Sequence, residues 1–248
     1  MESNLIRLSK SCIGRSEKEA VKNVLDREYL GMGEDVKEFE RLLHEFFGRP
    51  VVCVSSGTAA LHLALQASGL TRGDQVLVPS LTYVATFQAI SASGAQPISC
   101  EINEKDCLID YRLLEKNISS KTKAIMPVHY AGDPGRLDQL YKVAKRHNLL
   151  VIEDAAHAFG SNFQDKRIGS FGDIACFSFD GIKNITSGEG GCIVSDDLRF
   201  INKVKDLRLL GVINDSEKRF KGERSWDFDS IHQGWRYHMS NIMAAIGI

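Results

Sequence analysis

The stretch Phe177-Ser178-Phe179-Asp180-Gly181-Ile182-Lys183-Asn184-Ile185-Thr186-Ser187-Gly188-Glu189-Gly190-Gly191 sets a single lysine between an aromatic strand and a glycine-rich turn. A lysine in such a place can be stripped of water and made nucleophilic, although most loop lysines are simply solvated. Upstream, Ile152-Glu153-Asp154-Ala155-Ala156-His157-Ala158 follows an apolar run, and its two acids fall where a buried strand would emerge. One carboxylate there can pair with a cationic ring nitrogen; an aspartate capping a turn beside a core histidine reads alike. A third segment, Ser55-Ser56-Gly57-Thr58-Ala59-Ala60-Leu61-His62-Leu63-Ala64-Leu65, lies where a strand turns into a helix. Free backbone N–H groups and the helix dipole face an anion at such a turn, and an ordinary Ser/Gly helix cap has the same composition. Taken together, the three segments supply an anion cradle, a ring-nitrogen partner and a Schiff-base lysine, which are the three things pyridoxal phosphate (PLP) requires.

The elements that must position these residues alternate along the chain. Ser16 and Glu19 have capping-box spacing, and Ala20, Val21, Val24 and Leu25 follow at helical intervals, predicting a helix near 16–29. A second amphipathic pattern, Val36, Phe39, Leu42, Leu43 and Phe46, stops at Gly48. Short apolar runs at 51–54, 75–78, 97–100, 123–128, 149–153, 174–179 and 191–195 then alternate with helical stretches near 58–68, 83–93, 110–118, 136–147 and 197–210. Such alternation predicts a mostly parallel sheet covered on both faces, with ligands gathering at the carboxyl ends of its strands. Residues 211–234 turn polar, with seven acidic or basic residues from Asp215 to Arg224, and read as a mobile surface loop. From Ser240, a suitable N-cap, an apolar helical pattern of Ile242, Met243, Ala245 and Ile246 opens and runs to Ile248, and its apolar face is expected to be left bare.

Composition narrows the function classes. The chain has 248 residues, 43% hydrophobic and 25% charged, as ordinary globular domains do. A net charge of −1 and an isoelectric point near 6.7 provide no field for nucleic acid or anionic lipid. Neither a signal peptide nor a membrane span is expected, and a cytoplasmic location follows. Cys12, Cys53, Cys100, Cys107, Cys176 and Cys192 are scattered without a CxxC pair, so reduced, mostly buried thiols are expected and no metal site.

Five segments in order, 55–65, Pro79-Ser80-Leu81-Thr82-Tyr83-Val84-Ala85-Thr86, Pro127-Val128-His129-Tyr130-Ala131-Gly132, 152–158 and the lysine loop, resemble the DegT/DnrJ/StrS family of sugar-nucleotide aminotransferases, from near residue 10 onward. The resemblance implies an α/β fold, the PLP fold-type I large domain, over residues 1–234 with N-terminal helices. Residues 235–248 would start an interface or linker helix, and the family's C-terminal small domain has no counterpart. On that ground the 248-residue chain is expected to bind PLP weakly and to turn over little.

Residue by residue, the resemblance implies that Lys183 bonds covalently to the cofactor and later shuttles a proton, while Asp154 keeps the pyridine nitrogen protonated. Tyr83 would stack on the ring and His157 would lie beside the ring oxygen. Gly57, Thr58 and Ser178 would hold the phosphate, and Arg236 would reach the phosphate of a neighbouring subunit. Glu153, pointing to the opposite face of its strand, is expected to tolerate change better than Asp154. Asp180 stands where many members have histidine, and His238 where arginine is common. The implied reaction takes the amino group of glutamate to a keto group on a nucleotide-linked deoxysugar, for a surface polysaccharide or a glycosylated metabolite, in a homodimer with shared sites. Three other readings stay open: a PLP-dependent sugar dehydratase, a family member that binds or regulates without turnover, and a plain nucleotide-binding α/β domain. Lys183 itself favours transamination, because family dehydratases carry histidine at that place.

Overall fold

The computed structural model describes residues 9–223 and 228–248. Eight helices and nine strands follow one another: α1 (Arg15–Asp26), α2 (Glu34–Phe47), β1 (Val51–Val54), α3 (Gly57–Ala67), β2 (Gln75–Pro79), α4 (Val84–Ala92), β3 (Gln96–Cys100), β4 (Thr122–Ile125), α5 (Leu137–Arg146), β5 (Leu150–Asp154), β6 (Asn162–Phe163), β7 (Lys166–Arg167), β8 (Ile174–Ser178), β9 (Gly191–Val194), α6 (Leu198–Leu207), α7 (Asp215–Phe220) and α8 (Asn241–Gly247). Seven strands form one sheet in the order β1-β9-β8-β5-β4-β2-β3. β9 pairs antiparallel with both neighbours and every other pairing is parallel. The strands therefore share one direction except β9, and their carboxyl ends lie along one edge.

The apolar runs are continuous because both faces of the sheet are buried. Val51, Cys53, Leu77, Ile125, Val151, Ala175, Phe177 and Val194 point to the side covered by α2 and α5. Val52, Val54, Val76, Val78, Met126, Ile152, Ile174 and Ile193 point to the side covered by α3, α4 and α6. The period of two carries through to the end of β5, so Glu153 belongs to the first side and Asp154 to the second.

β1 is an edge strand, and its outward backbone is closed by side chains rather than by another strand. Arg208, fully buried, donates from Nη1 to the Cys53 carbonyl at 2.7 Å and to Glu40 Oε1. That same carboxylate oxygen accepts the Cys53 N–H at 2.8 Å. Farther along, the Ser55 N–H donates to the Tyr237 carbonyl, and Val54 bridges His238.

Four local expectations need correction. The first helix is capped by the Glu17 carboxylate, which accepts the Gly14 N–H at 2.6 Å, not by the Ser16 and Glu19 pair, and it ends at Asp26. Near 110–118 only a single 3-10 turn, Leu114–Asn117, forms. Asp110 there spends its carboxylate on the Arg112 N–H and guanidinium and so competes with helical hydrogen bonding. Within 211–234, α7 is ordered by the buried Ser216 and Phe220, Ser216 taking a hydrogen bond from Arg208 at 3.2 Å; the positions 224–227 lie outside the described residues. The apolar pattern after Ser240 is not left bare, since α8 packs on α1 and α2 with Ala244 and Ala245 buried. Asn241 anchors it by donating from Nδ2 to the Tyr29 carbonyl at 2.9 Å.

Removing one member of a buried ion pair leaves the other charge without a partner, a loss of about 3–5 kcal/mol. Arg208→Ala and Glu40→Ala are each expected to destabilise the chain by that much in denaturant unfolding, and the double variant by clearly less than the two losses added. Additive losses would show that the two side chains act independently.

Candidate active site

One cavity of about 500 Å³ opens at the carboxyl edge of the sheet. Gly57, Thr58, Tyr83, Asp154, His157, Ser178 and Lys183, drawn from four separate segments, all line it. Arg236 does not: it is exposed on the strand-like segment that bridges Leu209, outside the cavity.

At one end stands the N-terminus of α3. Ser56 caps the helix by accepting the Ala59 N–H on its hydroxyl at 3.0 Å. The Gly57 and Thr58 amides come first in the helix and have no intrahelical acceptor. A Cβ on residue 57 would stand 2.8 Å from Ser178 Cβ, so only glycine lets β8 approach the helix start. The Ser178 hydroxyl, 3.1 Å from that same point, lies beside the helix start and lines the cavity with Gly57 and Thr58. This is a geometry suited to an anion.

At the other end Asp154 closes β5, 5% exposed. Its Oδ2 accepts the Thr86 hydroxyl at 2.8 Å and its Oδ1 the Ala156 N–H at 3.2 Å. Burial pushes the Asp154 carboxyl up from its ordinary value, with the Thr86 hydroxyl, the Ala156 amide, His129 and His157 opposing. Among the described residues no lysine or arginine pairs with it. His157, across the cavity wall from Tyr130, has its imidazole pushed down by burial first and by the nearby Lys183 charge second.

Lys183 projects from the loop between β8 and β9. The loop is tied at both ends: the Phe179 N–H donates to the Gly190 carbonyl at 2.8 Å, and the Ser187 N–H to the Phe179 carbonyl at 2.9 Å. Asn184 Nδ2 donates to the Phe159 carbonyl at 2.7 Å, and the Lys183 N–H to the Asp180 carbonyl at 3.0 Å. Gly188 has φ +78°, a left-handed backbone that favours glycine in this turn. The backbone is thus fixed while the Lys183 side chain reaches into the cavity wall.

Glu153 departs from its expected tolerance. It does face away from the cavity, but it is fully buried, accepting the Tyr141 hydroxyl at 2.8 Å and pairing with His129 Nε2 at 2.7 Å. His129 in turn donates its backbone N–H to the Asp154 carbonyl at 3.1 Å. Glu153 therefore braces the β4 exit loop against β5. Sequence reading also missed Thr82, Thr86 and Tyr130 as lining residues, although all three lie in segments that carry the resemblance. A threonine opening an apolar helix has no pattern that marks its hydroxyl as aimed at a carboxylate.

The model of the DegT/DnrJ/EryC1/StrS aminotransferase family matches residues 11–248. An uncharacterized protein of Methanocaldococcus jannaschii, MJ1066, is 40% identical over 238 residues, covering 96% of this chain and 62% of that protein. The sugar aminotransferase CalS13 from Micromonospora echinospora superposes with a TM-score of 0.89 at 32% identity, over 98% of this chain and 67% of the other. Spr1654 from Streptococcus pneumoniae in its PLP form superposes at 0.89 and 31% identity, over 98% and 65%. The chain thus spans 62% of the length of that curated relative. The fold is accordingly the PLP fold-type I of these structures. No helix of the described residues is long and apolar enough to cross a membrane.

Two outcomes are expected for the paired acids. An acid whose pKa is raised in the folded state ionises more readily when unfolded, so folding stability falls as pH rises from near 3.8 through the raised value. The cofactor-free Asp154→Asn chain should therefore melt above the parent at pH 7, with the gap closing as pH falls toward 4; an unchanged or lowered midpoint at pH 7 contradicts the assignment. Glu153→Ala should do the reverse, leaving His129 and Tyr141 unpartnered at about 1–3 kcal/mol per group in denaturant unfolding.

Proposed function

Because this chain belongs to the DegT/DnrJ/EryC1/StrS aminotransferase family, we propose that it is a PLP-dependent aminotransferase carrying the amino group of glutamate to a keto group on a nucleotide-linked deoxysugar. The observation that carries this reading is the meeting at one cavity of a loop lysine, a buried carboxylate without a cationic partner and a free helix N-terminus.

The residues present fit the cofactor at each of its three handles. Gly57, Thr58 and Ser178 offer two amides at a helix start and a hydroxyl packed beside it, which suits a phosphate. Asp154, dry and satisfied only by neutral donors, suits a protonated ring nitrogen. Tyr83, 76% exposed at the mouth, offers a flat face for the ring, and His157 a neutral imidazole beside it.

When bound, PLP supplies an electrophilic carbon and an electron-poor ring that weakens the bonds to the amine it carries. Lys183 would hold the cofactor covalently and, at Nζ, would take up and return the proton that transamination moves. Asp154 would keep the proton on the ring nitrogen, and removal of such a contact costs on the order of 3 kcal/mol in the barrier. Leu81, Tyr83 and Ile182 stand exposed around the mouth, and a second copy of the chain covers them in the homodimer we infer, with Arg236 reaching the partner's phosphate site. Closure of this kind excludes water from the charged groups within.

The test is spectroscopic. Protein mixed with PLP is expected to show a visible absorbance band that borohydride fixes covalently to Lys183 in peptide mapping, and that glutamate bleaches. Lys183→Ala should lose both the band and turnover. A cofactor fixed to another lysine would overturn the site, and product formed from a nucleotide sugar without glutamate would turn the reading toward a dehydratase.

A further inference from the structure

We propose that Thr86 is the positioning residue of Asp154, and that Thr82 and Thr86 form a directed hydroxyl chain tying that carboxylate to the cavity wall that bears Tyr83. The proposal rests on the reading of Asp154 given above, although its first test does not require the cofactor.

Thr86 is fully buried, in the first turn of α4, and its N–H donates to the Tyr83 carbonyl at 3.1 Å. Its hydroxyl lies 2.8 Å from Asp154 Oδ2 and 2.6 Å from the hydroxyl of Thr82, which is half-buried and lines the cavity. An ionised carboxylate only accepts, and a hydroxyl has one proton to give. Thr86 must therefore spend its proton on Asp154, so the bond between the two threonines is donated by Thr82. The chain has one direction, Thr82 to Thr86 to Asp154, for as long as Asp154 is ionised. Both Asp154 oxygens are then held, Oδ1 by the Ala156 amide and Oδ2 by Thr86, which fixes the plane of the carboxylate. Because the segment 82–86 also carries Tyr83, the residue beside the ring face and the residue beside the ring nitrogen are anchored to each other.

The titratable and charged groups around Asp154 are His129 from the loop after β4, His157 from the turn after β5, and the Cys176 thiol on β8. Lys183 acts on His157, and Glu153 faces the opposite side. Thr86 is the hydrogen-bond donor that Oδ2 has among the described residues.

The first measurement is the titration of Asp154 in cofactor-free protein by NMR of ¹³C-labelled aspartate carboxyls, assigned with Asp154→Asn. Thr86→Val keeps the shape and removes the donor, so the midpoint should rise by about one pH unit or more. Thr86→Ser should restore it. A side chain that merely fills space predicts the opposite pattern, with valine neutral and serine disruptive, and an unmoved midpoint in Thr86→Val overturns the proposal. Should Thr86→Val not fold, Thr82→Val decides, since loss of its donation to Thr86 should raise the midpoint by a smaller amount; no rise overturns the proposal. With PLP bound, the glutamate half-reaction should slow about tenfold in Thr86→Val, recover in Thr86→Ser, and show no further loss when Thr86→Val is added to Asp154→Asn. If PLP does not bind the parent protein, the functional reading fails while the carboxyl titration still stands or falls alone.

Discussion

Strand β5 takes two adjacent carboxylates out of water on opposite faces of the sheet, and the groups around each follow from that constraint. An ionised carboxylate in a dry interior is costly unless it is paired or fully hydrogen-bonded. Glu153 is satisfied from within, by Tyr141 on α5 and by His129 on the loop after β4. Asp154 receives only neutral donors, one from α4 and one from its own turn. The first acid consolidates the fold, and the second leaves a negative charge uncompensated at the floor of a cavity. They differ because the period of two along a strand delivers one to a packed helix layer and the other to an open edge.

That edge exists because the strands share a direction. β9 alone runs back, and in doing so it returns the chain from the lysine loop to the interior, between β8 and β1. Lys183 is thereby placed between the end of β8 and the start of β9, beside the helix that follows β1. The arrangement depends on β1 holding its place at the sheet's margin, where Arg208 and Glu40 take up the outward N–H and carbonyl of Cys53. A packing interaction at the margin thus bears on the α3 end of the cavity, since β1 leads directly into Ser56 and Gly57.

How much of this was legible in the sequence depended on the range of the interaction. The central strands were readable because burial on both faces leaves them mostly apolar, and the placement of Lys183 and Asp154 at the cavity was readable because each follows such a run within a few residues. The helix expected near 110–118 was not, because the Asp110 carboxylate competes for backbone groups that a count of apolar residues ignores. α7 was hidden under its charges, since only the distant Arg208 reveals why Ser216 and Phe220 turn inward. Thr86 and Asp154 are 68 residues apart, and the hydrogen bond between them arises from tertiary packing that no local pattern announces.

The polarity of the cavity selects its guest. The α3 end presents two backbone amides and a serine hydroxyl, a site for negative charge. The β5 end presents a carboxylate whose burial penalises ionisation, a site for positive charge or a shared proton. A wholly anionic ligand satisfies the first and aggravates the second, while a wholly cationic one does the reverse. A molecule with a phosphate at one end and a protonatable ring nitrogen at the other satisfies both, because a positive charge beside Asp154 opposes the cost that burial places on its ionisation.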